Sequence, residues 1–300
     1  MRLLSLVSAA LIAVFSGFSH AGSISFYVAA HEDDWQLFMN PNAFNDVNGN
    51  LNDKTVFIYL TAGDNGARKT TTYWQARESG ANRSVRFLAD AAAVGGAPST
   101  TSDVTINGNK VHKVVYKDTV SYFLRLPDGN GDGGGFAQYD GGQSLQKLYS
   151  GAISAITTID AVVTAPSSSR TYYGWNELVG TLIKIVQIES AGFAQVFANM
   201  PDPDSTDDHS DHKHAGIAMQ DAMASYPCVT QVYFTQNHTG DISVPINETT
   251  DEIINEAATW GAMTSGLAET GYNSTYDWIH KLAVGKNYFQ VISGSGACAF

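Results

Sequence analysis

Ile24-Ser25-Phe26-Tyr27-Val28-Ala29-Ala30 runs straight into His31-Glu32-Asp33-Asp34. The first seven residues are apolar or aromatic with almost no polar alternation, the pattern of a strand buried on both faces, as in a parallel sheet. Val56-Phe-Ile-Tyr-Leu-Thr61 repeats it. Thr71 to Ala92 has helical spacing, with Trp74, Ala81, Val85, Leu88 and Ala92 close to one stripe. Strand candidates follow at Val104–Ile106, Val111–Tyr116 and Tyr122–Leu126. Further on, helix-like runs (Trp175–Gln187, Ala215–Ser225, Glu252–Leu267) alternate with strand-like ones (Ala194–Ala198, Val229–Phe234). This alternation predicts an α/β chain with a Rossmann-like, mostly parallel sheet flanked by helices and joined by right-handed crossovers. Sites in such sheets lie beyond the carboxyl ends of the strands.

The bulk properties narrow the function classes. Arg2, the apolar run Leu3 to Phe15 and the small-x-small site Ser19-His20-Ala21 read as a signal peptide over residues 1–21, cleaved near Ala21. The apolar run is too short for a comfortable membrane span. The expected product is therefore a secreted, extracellular or periplasmic, single domain over residues 22–300. A formal charge of -12 argues against nucleic acid or an anionic lipid surface as partner. Cys228 and Cys298 are an even pair, and in an oxidising compartment they read as one disulfide. It would close a loop of about 70 residues and contribute roughly 4 kcal/mol in the chain-entropy model. Two buried thiols are the alternative.

The chemistry-bearing residues fall into three groups. After a strand end, positions i and i+3 of a tight turn can point into one cavity, so His31 and Asp34 are candidate ligands of a catalytic Zn²⁺ or another divalent metal. Asp33 would then stand beside the metal-activated water as general base. Taken alone, the same tetrapeptide also reads as an exposed acidic turn with a capping Asp. The second group is His209-Ser-Asp211-His212, where the imidazoles share a face if a helix begins there. His212 would complete the ligand set. His209 would face the substrate, held in one tautomer and in its charged form by Asp211. His214 reads as a helix-surface residue or as one supporting a ligand from behind.

The third group, Thr61-Ala-Gly-Asp64-Asn-Gly66, ends the second buried strand. Asp64 there either touches the site wall or substrate, or belongs to an ordinary strand-to-loop turn. The glycine-rich stretch Leu126-Pro-Asp128-Gly-Asn130-Gly-Asp132-Gly-Gly-Gly135 begins like a calcium loop. Its twelfth position from Asp128 is Tyr139 instead of Glu, so a flexible rim loop over the site is expected. The acidic run Asp202, Asp204, Asp207, Asp208 reads as a solvated loop that can also help attract the metal.

In order, these pieces resemble the boxes of the PIG-L/LmbE-like zinc-dependent de-N-acetylases: Ala30-His-Glu-Asp-Asp34, Thr61-Ala-Gly63 and His209-Ser-Asp-His212. Arg77-Glu78 looks like that family's Arg-Glu pair. The resemblance implies a Rossmann-like fold and hydrolysis of an N-acetyl group, typically on an amino sugar or glycoconjugate. By motif position it assigns His31, Asp34 and His212 to the metal, Asp33 to the base and His209 to carbonyl polarisation. Asp64, Arg77 and Trp35 are candidate substrate-binding residues. Two residues depart from the pattern. Glu32 stands in place of the usual Pro, and Trp35 in place of an acidic residue, where it would add an aromatic wall beside the site.

Three other readings compete. A metal-dependent amidase on a different acylated amine would use the same groups. A non-catalytic carbohydrate-binding relative would keep the fold without turnover. An Fe(II) oxygenase could use two His and one carboxylate. It would call for a double-stranded β-helix and a cationic clamp for an oxoacid, and no Arg follows Arg170.

Overall fold

The computed structural model describes residues 20–49, 53–66, 72–92, 98–160, 170–226, 229–236, 244–273, 282–294 and 296. Cys228, Cys298 and most of the expected leader lie outside the described residues. Ten strands are described: β1 (His20–Ala29), β2 (Lys54–Thr61), β3 (Thr100–Ile106), β4 (Asn109–Tyr116), β5 (Thr119–Leu126), β6 (Ile156–Thr157), β7 (Thr171–Tyr172), β8 (Phe193–Pro201), β9 (Gln231–Thr235) and β10 (Phe289–Ser293). The short helices are α1 (Asp34–Phe38), α2 (Asn42–Asn48), α4 (Ala137–Asp140) and α5 (Leu145–Tyr149). The long ones are α3 (Tyr73–Ala92), α6 (Trp175–Ser190), α7 (Ser210–Ala224) and α8 (Thr250–Glu269).

Eight strands form one mixed sheet in the order β10-β9-β8-β1-β2-β5-β4-β3. The five central strands, β9 to β5 in that order, are parallel. The additions at both edges are antiparallel. The expected α/β architecture is therefore present, with hairpin-built rims that the sequence periodicity did not separate from the parallel centre. The β3–β4 hairpin turns at Asn107-Gly108, both with positive φ, which suits the twist of the flanking strands.

The reading of β1 as buried on both sides follows from where its side chains go. Ile24, Phe26 and Val28 join one core layer with Leu182, Ile185 and Val186 of α6 and Ala215, Ala218 and Met219 of α7. Tyr27 and Ala29 join the other layer with Trp35 and Leu37 of α1, Ala81 and Val85 of α3, and Trp260 and Met263 of α8. With helices on both faces, the strand is apolar apart from small buried serines such as Ser25. β1 lies between β2, its first crossover partner, and β8, reached much later in the chain. The sheet therefore reverses its direction of growth at the carboxyl end of β1, where α/β sheets place their ligands. No described helix is long and apolar enough to cross a membrane.

Helices α3 and α8 cross at a pair of glycines. A Cβ on Gly266 would lie 2.5 Å from the Cα of Gly80. Gly266→Ala is thus expected to wedge the helices apart and cost about 1–3 kcal/mol, read as a lower denaturant midpoint. Gly261→Ala on the same helix meets nothing within 4 Å. It should be neutral or stabilise by up to about 1 kcal/mol, because Ala is the better helix former.

Candidate metal centre

The chain leaves β1, turns through His31–Asp33 and enters α1 at Asp34. The turn is closed by the Asp34 carboxylate, whose Oδ2 accepts the His31 backbone N–H at 2.8 Å. This bond aims Asp34 Oδ1 back towards the His31 ring. From the other side of the switch point, the loop after β8 delivers α7, with His212 in its first turn. His31 Nδ1 and His212 Nε2 are 3.1 Å apart. His212 Nε2 and Asp34 Oδ1 are 3.1 Å apart, and His31 Nδ1 and Asp34 Oδ1 are 3.4 Å apart. All three residues are buried.

These three atoms fit a tetrahedral zinc ion. Ligands at about 2.0–2.1 Å in a tetrahedron are about 3.3 Å from one another. The centre of the observed triangle is about 1.9 Å from each corner, close to an ordinary zinc–ligand bond length. A second set of potential ligands, His31 with Asp128, His209 and Asp211, also converges. It is looser, with His31 Nε2 at 3.5 Å from Asp211 Oδ2 and 3.9 Å from Asp128 Oδ2. Its carboxylates already serve the main chain, so they act as the supports of His31.

Those supports differ from the sequence-based expectation in an informative way. Asp211 does not hold His209 through its carboxylate. Its Oδ2 accepts the Gly129 N–H at 2.7 Å and faces His31. Its backbone N–H donates instead to His209 Nδ1 at 3.1 Å, because His209 is the N-cap of α7. This bond fixes the His209 proton on Nε2. Burial, then the neighbouring His31 and His212, push the His209 pKa down to about 3. The expected charged His209 is therefore corrected to a neutral imidazole with one N–H to offer.

His212 is oriented by Asp208, whose Oδ1 lies 2.7 Å from His212 Nδ1. Sequence reasoning left Asp208 in a solvated acidic run. The available signal was its place one helical turn before the ligand, which allows a carboxylate–imidazole pair. Asp128 was also missed. It is buried beside His31 and accepts the Asn65 and Asn130 N–H groups at 3.2 and 2.9 Å. Its loop is no free rim flap: Ser210 N–H donates to Gly131 O, and Lys147 Nζ donates to Gly134 O and Gly142 O.

The remaining expected site residues are placed as follows. Asp33 is paired with Arg77 Nη2. Arg77 is buried, donates through Nη1 to Gly63 O at 3.0 Å, and has Nε at 3.2 Å from Glu32 Oε2. Burial works against its charge, but Asp33 and Glu32 raise its pKa above the ordinary arginine value. Arg77 is thereby tied to Asp33, Glu32 and the main chain at Gly63. Asp64 Oδ1 accepts the Asp128 N–H at 3.0 Å, so it pins the glycine loop to the end of β2. Burial pushes its carboxyl up to about 6. Trp35 is not a wall of the site. It is fully buried, stacks obliquely on Phe57 and donates to the Tyr59 hydroxyl at 2.7 Å. One residue into α1, it falls on the face turned to the core. Of the aromatic residues near the expected helices, Tyr172 and Trp74 are core, and Tyr173 is exposed.

The electrostatics of the triangle call for positive charge. Burial alone would discharge His212, but Asp34 and Asp208 outweigh it and push its pKa up to about 10. His31 is raised well above the imidazole range, against burial, by Asp34 and Asp211. Asp34, despite burial, is held well below the usual carboxylate range by His212 and His31. Without an ion, the carboxylates hold protons on the imidazoles; a dication would replace those protons.

No protein-family model matches the chain, and no curated protein does. Among solved structures, the N,N'-diacetylchitobiose deacetylase from Pyrococcus horikoshii, complexed with its inhibitor MPG, is similar with a TM-score of 0.48 and 13% identity. The match covers 94% of this chain and 88% of that one.

Two outcomes are expected. Metal must displace at least the His212 proton, so apparent affinity should rise about tenfold or more per pH unit between pH 6 and 8. Calorimetry in buffers of different ionisation enthalpy counts the released protons, and a pH-independent affinity would show the free imidazoles to be neutral. Asp208→Asn should weaken metal binding about 10–100-fold in a chelator competition while leaving the fold intact.

Proposed function

We propose that the chain is a zinc-dependent hydrolase that removes an N-acetyl group from an amino-sugar-containing substrate. The observation that carries this reading is the His31–Asp34–His212 triangle, with sides of 3.1, 3.1 and 3.4 Å, flanked by Asp33 and His209. Support also comes from the order of the three boxes in the sequence. Their acid, base and ligand positions are the ones a de-N-acetylase needs.

Zinc at this site supplies Lewis acidity and brings the pKa of water towards about 7. The chain's own groups do the rest. Asp33 takes the proton of the attacking water, and Arg77 keeps that carboxylate in one orientation. His209, neutral and protonated on Nε2, donates a hydrogen bond to the acetyl oxygen as negative charge builds there. A pre-aimed donor in a site shielded from water is worth more than the same donor in solution. A neutral His209 has no spare proton for the leaving nitrogen. The proton collected by Asp33 is therefore the one returned as the C–N bond breaks, and acetate and a free amine leave.

The same reading takes the protein as exported, supported by Arg2, the Leu3–Phe15 run and Ser19-His20-Ala21. Cleavage near Ala21 would remove the His20↔Phe193 pair and leave the β1–β8 register from Ser23 onward intact.

The test is acetate release from a panel of N-acetylated mono-, oligo- and polysaccharides, with metal analysis of the same sample. Asp33→Asn should lower kcat by at least about 100-fold with metal still bound. His209→Gln should lower it by about 100–1,000-fold. A metal-loaded protein that releases no acetate from any panel member, or one that hydrolyses undiminished after full chelation, would overturn the reading.

A further inference from the structure

Glu32 is the residue that the proposed chemistry leaves without a task. It is fully buried. Among the described residues neither carboxyl oxygen has a hydrogen-bond partner, and neither does Arg77 Nε. Its polar neighbour is the Nε edge of Arg77, at 3.2 Å. A buried carboxyl held this way destabilises the fold relative to an apolar side chain of similar size. Groups that break local packing rules in this manner tend to be retained for function.

The surroundings are shaped to admit it. Gly63 has φ +49°, and a Cβ there would lie 2.5 Å from Glu32 Oε2 and 2.8 Å from Arg77 Cζ. The turn after β2 thus passes over the Glu32–Arg77 contact with no room for a side chain. Arg77 is touched along three sides: Glu32 at Nε, Gly63 O at Nη1 and Asp33 at Nη2. With Nη1 and Nη2 held, the freedom left to the planar guanidinium is a tilt about the line joining them, and the contact at Nε limits that tilt.

Building on the deacetylase reading, we propose that Glu32 is a positioning residue. It fixes the plane of the Arg77 guanidinium, and Arg77 in turn holds the base Asp33 in a single orientation. Removing Glu32 frees the Nε edge, lets the guanidinium tilt and loosens Asp33, while His31, Asp34 and His212 keep their places. The contact is a close polar approach of 3.2 Å, so Gln, with the same shape and an amide oxygen to face Nε, can serve where an apolar side chain cannot.

Glu32→Leu and Glu32→Gln decide this. Glu32→Leu should lower kcat about 10–100-fold, the scale of a misplaced catalytic group. KM should stay within about twofold, metal content unchanged and Tm equal to or above wild type. Glu32→Gln should hold kcat within about fivefold. A structural residue would not raise or preserve Tm while kcat falls. Wild-type kcat in Glu32→Leu would overturn the proposal, as would a loss that tracks loss of bound metal or folded protein. Should Glu32→Leu fail to fold, Glu32→Gln and NMR of the Arg77 Nε–H decide. That proton should exchange slowly in wild type and in Glu32→Gln, and exchange at the rate of a free arginine would overturn the proposal. The NMR measurement needs no turnover. Absence of acetate release by the metal-loaded wild type would therefore sink the deacetylase reading separately, without touching the Glu32–Arg77 contact.

Discussion

Two imidazole nitrogens, His31 Nδ1 and His212 Nε2, meet at 3.1 Å although their residues are 181 positions apart in the chain. Two bare lone pairs could not face one another in a buried space, so a proton or a cation has to lie between or beside them. The third corner, Asp34, adds a carboxylate to the same space. Everything around the site follows from satisfying this demand. β1 and β8 have to be neighbours, because one strand launches His31 and the other launches the loop to His212. Their parallel register, from Ser23↔Gln195 to Tyr27↔Asn199, sets both launch points at the same level. The core on both sides of β1 is what keeps that level from drifting.

A layer of carboxylates backs the triangle, and each is also tied to main chain or to a single partner. Asp211 receives Gly129 N–H, Asp128 receives Asn65 and Asn130 N–H, and Asp64 receives Asp128 N–H. The glycine-rich stretch after β5 therefore owes its course to these acceptors and to α7, with its amide groups turned inward. The Asp128 side chain belongs to that inner wall, which is why a calcium loop is the wrong description. A Cβ on Gly129 would come within 2.5 Å of Asp211 Oδ1. Glycine at this position thus permits the close approach of loop and helix.

The central strands were legible in the sequence because burial on both faces leaves an unbroken apolar run. β1, β2, β5 and β8 were each placed to within a few residues. The convergence of His31 and Asp34 was legible because a strand end followed by His-x-x-Asp leaves few options for two side chains in one cavity. What was not legible concerns direction. Asp211 was assigned to His209 by proximity, but a helix start turns the backbone N–H towards the capping ring and the side chain elsewhere. Trp35 was assigned to the site because it follows a ligand, but one step into a helix rotates a side chain by about 100°, here onto the core. Asp208 was lost among the three other acidic residues of its run because spacing alone does not tell a buried carboxylate from solvated ones.

The position of β1 between an early partner and a late one bears on how the molecule assembles during synthesis. Pairing with β2 is local and needs a short crossover. Pairing with β8 must wait until roughly 130 further residues have been made and brought back. Throughout that interval one margin of the innermost strand carries unsatisfied amide and carbonyl groups beside apolar side chains, a template for pairing with a foreign chain. A nascent polypeptide of this design cannot bring His31, Asp34 and His212 together until most of its length exists. Its period of greatest exposure to aggregation falls before that point.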